Sequence, residues 1–180
     1  MSTRRLLIFG ASGHGSVVAD AAQLAGWEVI GFADDAPARR AALPGLPEVC
    51  AVGIDEAVGV CRAQDAAFIV AIGDNAVRRS VYLRLLHAGL EPALVVHPGA
   101  TIASSAVLGP GTVALAGAVV NPCTRVGADV ILNTACSVDH DNEIGDHVHI
   151  SPGAHLGGTV RVGEGTHLGL GASIRNNVVI

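Results

Sequence analysis

An aliphatic side chain returns at every sixth position from Ile102 to Ile180, and this repeat constrains the fold more than any other feature of the sequence. A period of six fits neither an α-helix of 3.6 residues per turn nor a flat strand with a period of 2. It fits a parallel β-helix, in which each short face contributes one inward aliphatic residue. The aliphatic positions are Ile102, Leu108, Ala114, Val120, Val126, Leu132, Val138, Ile144, Ile150, Leu156, Val162, Leu168, Ile174 and Ile180.

The residue four positions after each aliphatic one is usually small or β-branched, so we expect a second inward-facing position there. A small residue there lets the corner close, and the Gly that often follows the aliphatic residue is expected to relieve backbone strain. One repeat cannot bury its own apolar residue, so neighbouring coils must stack. With three faces per coil, residues 18 apart should lie directly above one another. A purely architectural solenoid is the alternative.

The composition limits the functions that are open to this chain of 180 residues. Half of the residues are apolar and 15% are charged, which is typical of a globular protein. A net charge of -5, with no basic patch, argues against nucleic-acid binding. The four cysteines show no CxxC spacing, which favours a reducing, cytoplasmic location. The N-terminal apolar run is too short for a signal peptide, and no segment reaches the ~20 apolar residues that span a membrane.

The first part of the chain alternates between predicted strands and helices. A buried strand over 5–9 leads into the Gly-rich turn Gly10–Gly15, and a helix then runs to Gly26. A strand, a Gly-rich turn and a helix can present backbone N–H groups to a phosphate. The spacing here is GxxGxG and not the dinucleotide fingerprint GxGxxG, so a tight turn that needs glycines is the alternative.

The remaining predicted elements complete a small parallel sheet with helices on both sides. Strands are expected over 28–33, 67–72 and 93–96, helices over 54–63 and from about 75 to 87, and a loop over 36–53. Ligands bind such sheets at the carboxyl ends of the strands. Three loops meet at that edge: the Gly10–Gly15 turn, Asp34-Asp35 and Gly73–Asn75. Asp34 or Asp35 could accept hydrogen bonds from a ribose, or could cap a turn.

The β-helix repeat contains one chemically unusual run, in which His140 lies between Asp139 and Asp141. A carboxylate can bond one ring nitrogen, fix the tautomer and leave the other nitrogen free as a base. The spacing of 18 places Gly158 above His140, which opens a slot where a backbone N–H could hold a developing oxyanion. By the same spacing His149 and His167 should stack, either as ligand contacts or as part of a subunit interface.

The motifs LIFGASGHG, FADD, AIGDN and ILNTACSVDHDNEIGDHVHISPGAHLGG resemble the bacterial sugar O-/N-acyltransferases of the sialic-acid O-acetyltransferase type. This family includes the N-acetyltransferases of nucleotide-linked amino sugars. The resemblance covers essentially the whole chain and implies an α/β plus all-β fold. We therefore expect a Rossmann-like nucleotide-sugar-binding domain over 1–98, and a left-handed parallel β-helix of hexapeptide repeats over 99–180.

The resemblance also implies which residues form the site. It makes His140 the catalytic base, with Asp141, or alternatively Asp139, as the residue that orients it. It implies acetyl-CoA along the β-helix, no metal, and a homotrimer with active sites between subunits. The further active-site matches are Asn133 and His149 in the β-helix; Gly10, Ser12, His14, Asp34, Asp35 and Gly73 in the nucleotide-sugar loops; and Gly158, Gly169, Leu170 and Ala172 toward the cofactor.

The expected activity is direct attack of the sugar amine of a nucleotide-linked amino sugar on acetyl-CoA. The alternatives are O-acetylation of a sialic acid or another sugar, a γ-carbonic-anhydrase-like metalloenzyme that uses His140, His147, His149 and His167, and a non-catalytic nucleotide-sugar-binding protein. Relatives usually carry a further coil, whereas this sequence stops at Ile180, an inward position. We expect either a truncated product or a neighbouring subunit that covers this end, and weaker binding of the distal part of coenzyme A.

Overall fold

The computed structural model describes residues 4–36 and 47–180, and it divides into two compact units, Met1–Ala93 and Leu94–Ile180. Among the described residues, the first unit contains four parallel strands in the order β3-β2-β1-β4 and three helices. The strands are β1 (Arg4–Phe9), β2 (Trp27–Ala33), β3 (Val49–Ala51) and β4 (Ala66–Val70), and the helices are α1 (Gly13–Leu24), α2 (Gly53–Gln64) and α3 (Asn75–His87).

The central strand β1 explains why this unit folds as a parallel sheet. Its residues from Leu6 to Phe9 form a continuous apolar run that is almost completely buried, as expected for a strand covered on both faces. β3 lies within the stretch that the sequence predicts to be a loop, of which 37–46 fall outside the described residues. It has three residues and passes close to Gly31, where any Cβ would meet the Cys50 sulfur. A strand this short leaves no periodic signal in the sequence.

The strand predicted over 93–96 does not belong to this sheet. Next to β4 the sheet continues as one isolated parallel bridge between Phe68 and Pro92. The Phe68 N–H donates to the Glu91 carbonyl at 2.9 Å and the Ala93 N–H donates to the Phe68 carbonyl at 2.7 Å, so Pro92 is tolerated because no N–H is needed at its position. The strand β5 (Val95–Val96) pairs instead with β8 (Val113–Ala114) and begins the β-helix.

The second unit is a left-handed parallel β-helix with three faces. Its three parallel sheets have the orders β16-β13-β10-β7, β17-β14-β11-β8-β5 and β18-β15-β12-β9-β6. Neighbouring strands in each sheet are 18 residues apart in the sequence, as in Ile131 paired with His149 and Leu132 with Ile150. The other strands are β6 (Thr101–Ile102), β7 (Val107–Leu108), β9 (Val119–Val120), β10 (Arg125–Val126), β11 (Ile131–Leu132), β12 (Ser137–Val138), β13 (Glu143–Ile144), β14 (His149–Ile150), β15 (His155–Leu156), β16 (Arg161–Val162), β17 (His167–Leu168) and β18 (Ser173–Ile174).

The aliphatic ladder and the small second positions together form the core of the β-helix. Leu132, Cys136, Val148 and Ile150 have no exposed surface, and the flanking members of both series pack against them. The sequence prediction of the fold class is therefore confirmed.

The strained, positive-φ residue of each corner does not lie directly after the aliphatic residue, where the sequence analysis expected it. Left-handed residues recur every sixth position, three residues after the aliphatic one, with φ between 53° and 63° at Cys123, Asp129, Ala135, Asp141, His147, Thr159 and Asn177. The glycines directly after the aliphatic residues have another role. A Cβ at Gly145, for example, would lie 2.7 Å from the backbone nitrogen of Glu164, so this glycine, like Gly109, Gly127 and Gly157, permits close approach of the next coil.

Candidate active site

The corner between β12 and β13 carries the predicted base. The His140 side chain is exposed, and its Nδ1 lies 2.7 Å from Oδ2 of Asp141. Asp141 occupies the left-handed corner position with φ of 58°, a conformation that Asp and Asn adopt more readily than most residues. Because Nδ1 bonds to a carboxylate, it carries the ring proton, and Nε2 keeps its lone pair.

Asp139 holds the main chain of the corner and not the ring. Its Oδ1 accepts from the His140 N–H at 2.8 Å and from Nδ2 of Asn121 at 2.9 Å. These two hydrogen bonds lower the pKa of Asp139, so it remains ionised. Of the two acidic neighbours considered from the sequence, Asp141 therefore orients the imidazole.

The same contacts shift the pKa of His140. The hydrogen bond to Asp141 is the largest cause that raises the pKa of His140; burial partly offsets it, and the negative charges of Asp139 and Asp141 add to it. A raised pKa makes the neutral ring a stronger base for accepting a proton.

Gly158 lies directly above His140, as the spacing of 18 predicts. A Cβ on Gly158 would lie 2.6 Å from Cε1 and 2.7 Å from Nε2 of His140, so the ring rests against bare backbone. The Thr159 N–H donates to the His140 carbonyl at 3.0 Å and ties the two coils together. Within the described residues, the Gly158 N–H donates to no protein acceptor, although Gly158 is buried.

Asn133 and His149 form a second polar cluster. Oδ1 of Asn133 accepts from the Thr134 N–H at 2.8 Å, which directs its amide nitrogen to Nε2 of His149 at 3.0 Å. The His149 and His167 rings stack as predicted, with centroids 4.6 Å apart and planes 4° from parallel. This cluster lies along β11, β14 and β17, whereas His140 follows β12. No hydrogen bond among the described residues joins Asn133 to His140.

The predicted cofactor positions divide between two corners. Gly158 follows β15, whereas Gly169 and Leu170 follow β17. Leu170 is 78% exposed, and a Cβ at Gly169 would meet nothing within 4 Å, so both present an open surface. Ala172 packs against the core, and its methyl group faces inward.

A cleft of about 420 Å³ opens at the carboxyl ends of β1, β2 and β4 in the N-terminal unit. Of the six residues predicted there, the cleft is lined by Gly10, Ser12, Asp34, Asp35 and Gly73. Several further lining residues were not predicted from the sequence, among them Ile54, Val77, Val81 and Arg84. Arg84 adds a cation to a cleft that the N-terminus of α1 adjoins, a combination suited to a phosphate.

The two carboxylates beside this cleft have different roles. Oδ2 of Asp34 accepts from the Ala11 N–H at 2.7 Å, and its Oδ1 accepts from the Ala36 N–H at 2.8 Å. Asp34 therefore holds the Gly-rich turn in place, while the exposed Asp35 is the better placed to contact a ligand. Gly10 is required in this turn, because its φ is 104° and a Cβ would lie 2.7 Å from the Ala71 carbonyl oxygen.

His14 does not line the cleft. Burial and the nearby Arg78 lower the pKa of His14 to about 4, so the ring is neutral at physiological pH. Arg78 has no exposed surface, and its Nη1 donates to Oδ1 of Asn75 at 2.8 Å and to the Ile72 carbonyl at 3.2 Å. Arg78 was not predicted from the sequence, because nothing in the α3 pattern distinguishes it from the surface arginine beside it.

The histidines considered for a metal site have other partners. Nδ1 of His147 lies 2.8 Å from Oδ2 of Asp129 in a buried pair, and His149 stacks on His167. Over 4–36 and 47–180, no group of three or more His, Cys, Asp or Glu could hold a metal ion. Likewise, no helix in these ranges is long and apolar enough to cross a membrane.

Known proteins of similar sequence and fold match nearly the whole chain. The model of the PglD N-terminal domain family matches residues 5–85. The acetyltransferase domain of PglB from Neisseria gonorrhoeae is 35% identical, with a TM-score of 0.86, over 98% of this chain and 84% of that one. Perosamine N-acetyltransferase from Caulobacter crescentus, solved as a histidine-to-asparagine mutant with CoA and GDP-perosamine, is 32% identical, with a TM-score of 0.89, over 99% and 83%.

A further structure, the PglB domain in complex with acetyl coenzyme A, matches over 99% of this chain and 96% of that one at 31% identity, with a TM-score of 0.80. The fold and these similarities define one class of protein. The chain belongs to the family of hexapeptide-repeat sugar acyltransferases, together with the PglB acetyltransferase domain and perosamine N-acetyltransferase.

Proposed function

We propose that this protein transfers the acetyl group of acetyl-CoA to the amine of a nucleotide-linked amino sugar. One observation carries the proposal: the imidazole of His140, oriented by Asp141, rests against Gly158, whose N–H donates to no acceptor among the described residues. A relative bound to acetyl coenzyme A and another bound to CoA and GDP-perosamine supply the two substrate classes.

The residues divide the reaction between them. The sugar amine attacks the thioester carbonyl carbon, and Nε2 of His140 takes the proton that the nitrogen loses. Asp141 stabilises the imidazolium that forms. The Gly158 N–H donates to the carbonyl oxygen as it becomes an oxyanion. When the tetrahedral intermediate collapses, the carbon–sulfur bond breaks, and coenzyme A leaves as a thiol after taking up a proton.

The cleft of the N-terminal unit suits the nucleotide part of the acceptor. The N–H groups of the first turn of α1 and the Arg84 guanidinium match a diphosphate. The Asp35 carboxylate can accept from a ribose hydroxyl or a base N–H. We assign Ser12 and Gly73 to the same cleft and give His14 no contact with the ligand.

We further propose a homotrimer with active sites between subunits. Asn133 and His149 lie at a different corner of the coil from His140, so one copy alone does not bring them to its own base. A neighbouring copy that packs alongside could complete the site. The four cysteines are free thiols, which supports a reducing compartment such as the cytoplasm.

An acetyl-transfer assay across a panel of nucleotide-linked amino sugars tests the activity, with release of the coenzyme A thiol as the readout. We expect turnover with at least one UDP-, GDP- or CMP-linked amino sugar, and none with the matching sugar that has a hydroxyl in place of the amine. Turnover with the hydroxyl sugar and not the amine would favour O-acetylation. Nucleotide binding without transfer to any acceptor would refute the proposed activity.

The pH dependence tests the role of Asp141. Only neutral His140 can accept a proton, so wild-type kcat/KM should fall as the pH drops through the raised pKa of His140. Asp141→Asn removes the main cause of that rise, so the acid limb should move to lower pH, toward the ordinary value of about 6.5, while the maximal rate falls. Asp20→Asn, on the surface of α1, is the control. An unchanged acid limb in Asp141→Asn would contradict the assignment.

A further inference from the structure

We propose that Asn142 is a positioning residue that holds the His140 main chain in register with the Gly158 amide. This inference rests on the proposed function and adds a residue to it. Asn142 occupies a second inward position, where the neighbouring coils carry Thr124 and Val160, and it has no exposed surface. A buried amide in an otherwise apolar or threonine column needs partners, and Asn142 has them in two directions.

One set of hydrogen bonds joins Asn142 to the next coil. Its Nδ2 donates to the Gly157 carbonyl at 3.0 Å, and its Oδ1 accepts from the Val160 N–H at 3.0 Å. Because Oδ1 accepts this N–H, the orientation of the side-chain amide is fixed. The turn that contains Gly158 is therefore tied at both ends to the side chain of Asn142.

The second set joins Asn142 to the corner that carries the base. Nδ2 also lies 2.6 Å from the Asp139 carbonyl oxygen and 3.3 Å from that of His140. These carbonyls lie on either side of the His140 backbone. The exposed His140 ring contacts the Asp141 carboxylate and the Gly158 backbone, and both contacts depend on where the main chain places His140.

Two threonines in the same molecule show which of these bonds the fold itself requires. Thr112 donates to the Gly127 carbonyl at 2.9 Å and accepts from the Val130 N–H at 3.1 Å. Thr124 donates to the Asp139 carbonyl at 2.7 Å and accepts from the Asn142 N–H at 3.2 Å. Both threonines thus make the between-coil pair of bonds at the sequence separations of 15 and 18 that Asn142 also spans.

A hydroxyl has one hydrogen to donate, whereas the NH2 group of a side-chain amide has two. Threonine can therefore make the between-coil bonds but not the additional bonds within the corner. Asn142→Thr is therefore a variant that should keep the stacking of the coils and remove the side-chain bonds of Asn142 within the His140 corner, although Thr124 still donates to the Asp139 carbonyl. If Asn142 served stability alone, this substitution would be neutral. If it positions the base, turnover falls while the fold is kept.

The experiment compares Asn142→Thr with Thr112→Val in the full-length protein. For Asn142→Thr we expect kcat to fall by about 10- to 100-fold, as for a small misplacement of a catalytic group, with the KM for acetyl-CoA changed less than about twofold. The acid limb of kcat/KM should move to lower pH, because the bond to Asp141 loosens. Thr112→Val leaves a Val130 N–H and a Gly127 carbonyl without this partner, so its melting temperature should fall while kcat is kept.

An NMR titration of the His140 imidazole gives a readout that needs no turnover. A titration midpoint for Asn142→Thr that matches wild type, together with an unchanged kcat, would overturn the inference and leave the acetyltransferase proposal intact. If wild type acetylates no acceptor, the proposed function fails, and the titration alone decides whether Asn142 positions His140. Asn142→Ser, which also has one hydroxyl, replaces Asn142→Thr if that variant does not fold.

Discussion

His140→Ala is expected to lose acetyl transfer almost completely. A general base contributes ~10²–10⁴-fold in rate, and the two carboxylates beside His140 are engaged elsewhere, Asp141 with the ring and Asp139 with the main chain. The His140 ring is exposed, so its removal leaves no cavity in the core and the fold should persist. Turnover by thiol release, and acetyl-CoA affinity by calorimetry, measure the two parts of this expectation.

The matched control is His87→Ala, which removes an exposed histidine from α3. This variant should keep full turnover. His140→Ala should also bind acetyl-CoA within about twofold of wild type, since the ring is assigned to proton transfer and not to uniform binding. Turnover near the wild-type rate in His140→Ala would remove His140 from the mechanism.

Gly158→Ala is expected to be nearly as damaging, although it adds one methyl group and keeps the backbone amide. The new Cβ would lie 2.6 Å from Cε1 of His140, so the ring must move off Gly158. A misplacement of a catalytic group by ~1 Å can cost about 10²-fold in rate. Complete loss of one oxyanion donor costs roughly 3–4 kcal/mol, and a weakened donor costs part of that. We expect turnover to fall by at least about 10²-fold.

Gly59→Ala serves as the control for Gly158→Ala. Gly59 lies within α2, and a Cβ there meets nothing within 4 Å, so this variant should match wild type in rate and be slightly more stable. The chemical shifts of the His140 ring should change in Gly158→Ala and not in Gly59→Ala. If the His140 shifts and kcat both stayed at wild-type values in Gly158→Ala, the contact between the ring and the bare backbone would have no catalytic meaning.

The β-helix could be predicted because its period is strict and because parallel stacking turns sequence separation into distance. The spacing of 18 was enough to bring Gly158 to His140 and His149 to His167. The same rule could not choose between Asp139 and Asp141. That choice depends on the positive φ of Asp141 and on Asn121 one coil below, which draws Asp139 into the main-chain network.

The N-terminal unit shows where local patterns fail. Its strands and helices follow apolar periodicity, but β3 is too short to be periodic, and Val95–Val96 reads as a sheet strand until its partner in the β-helix is known. His14 belongs to the Gly-rich turn whose members Gly10 and Ser12 line the ligand cleft, yet His14 itself lies beside the buried Arg78. Burial of this kind depends on tertiary packing and has no signature within a few residues.

The regular series of left-handed corner residues has a consequence for how chemistry is located on this scaffold. The corner that carries His140 has the same backbone course as the corners at Ala135 and His147, so the active site has no specialised loop geometry of its own. The β-helix provides a series of corners with equivalent left-handed backbone positions, and the side chains at each corner decide which corner is reactive. A new activity could therefore arise by changing the side chains at one corner, with no change in the backbone conformation of that corner.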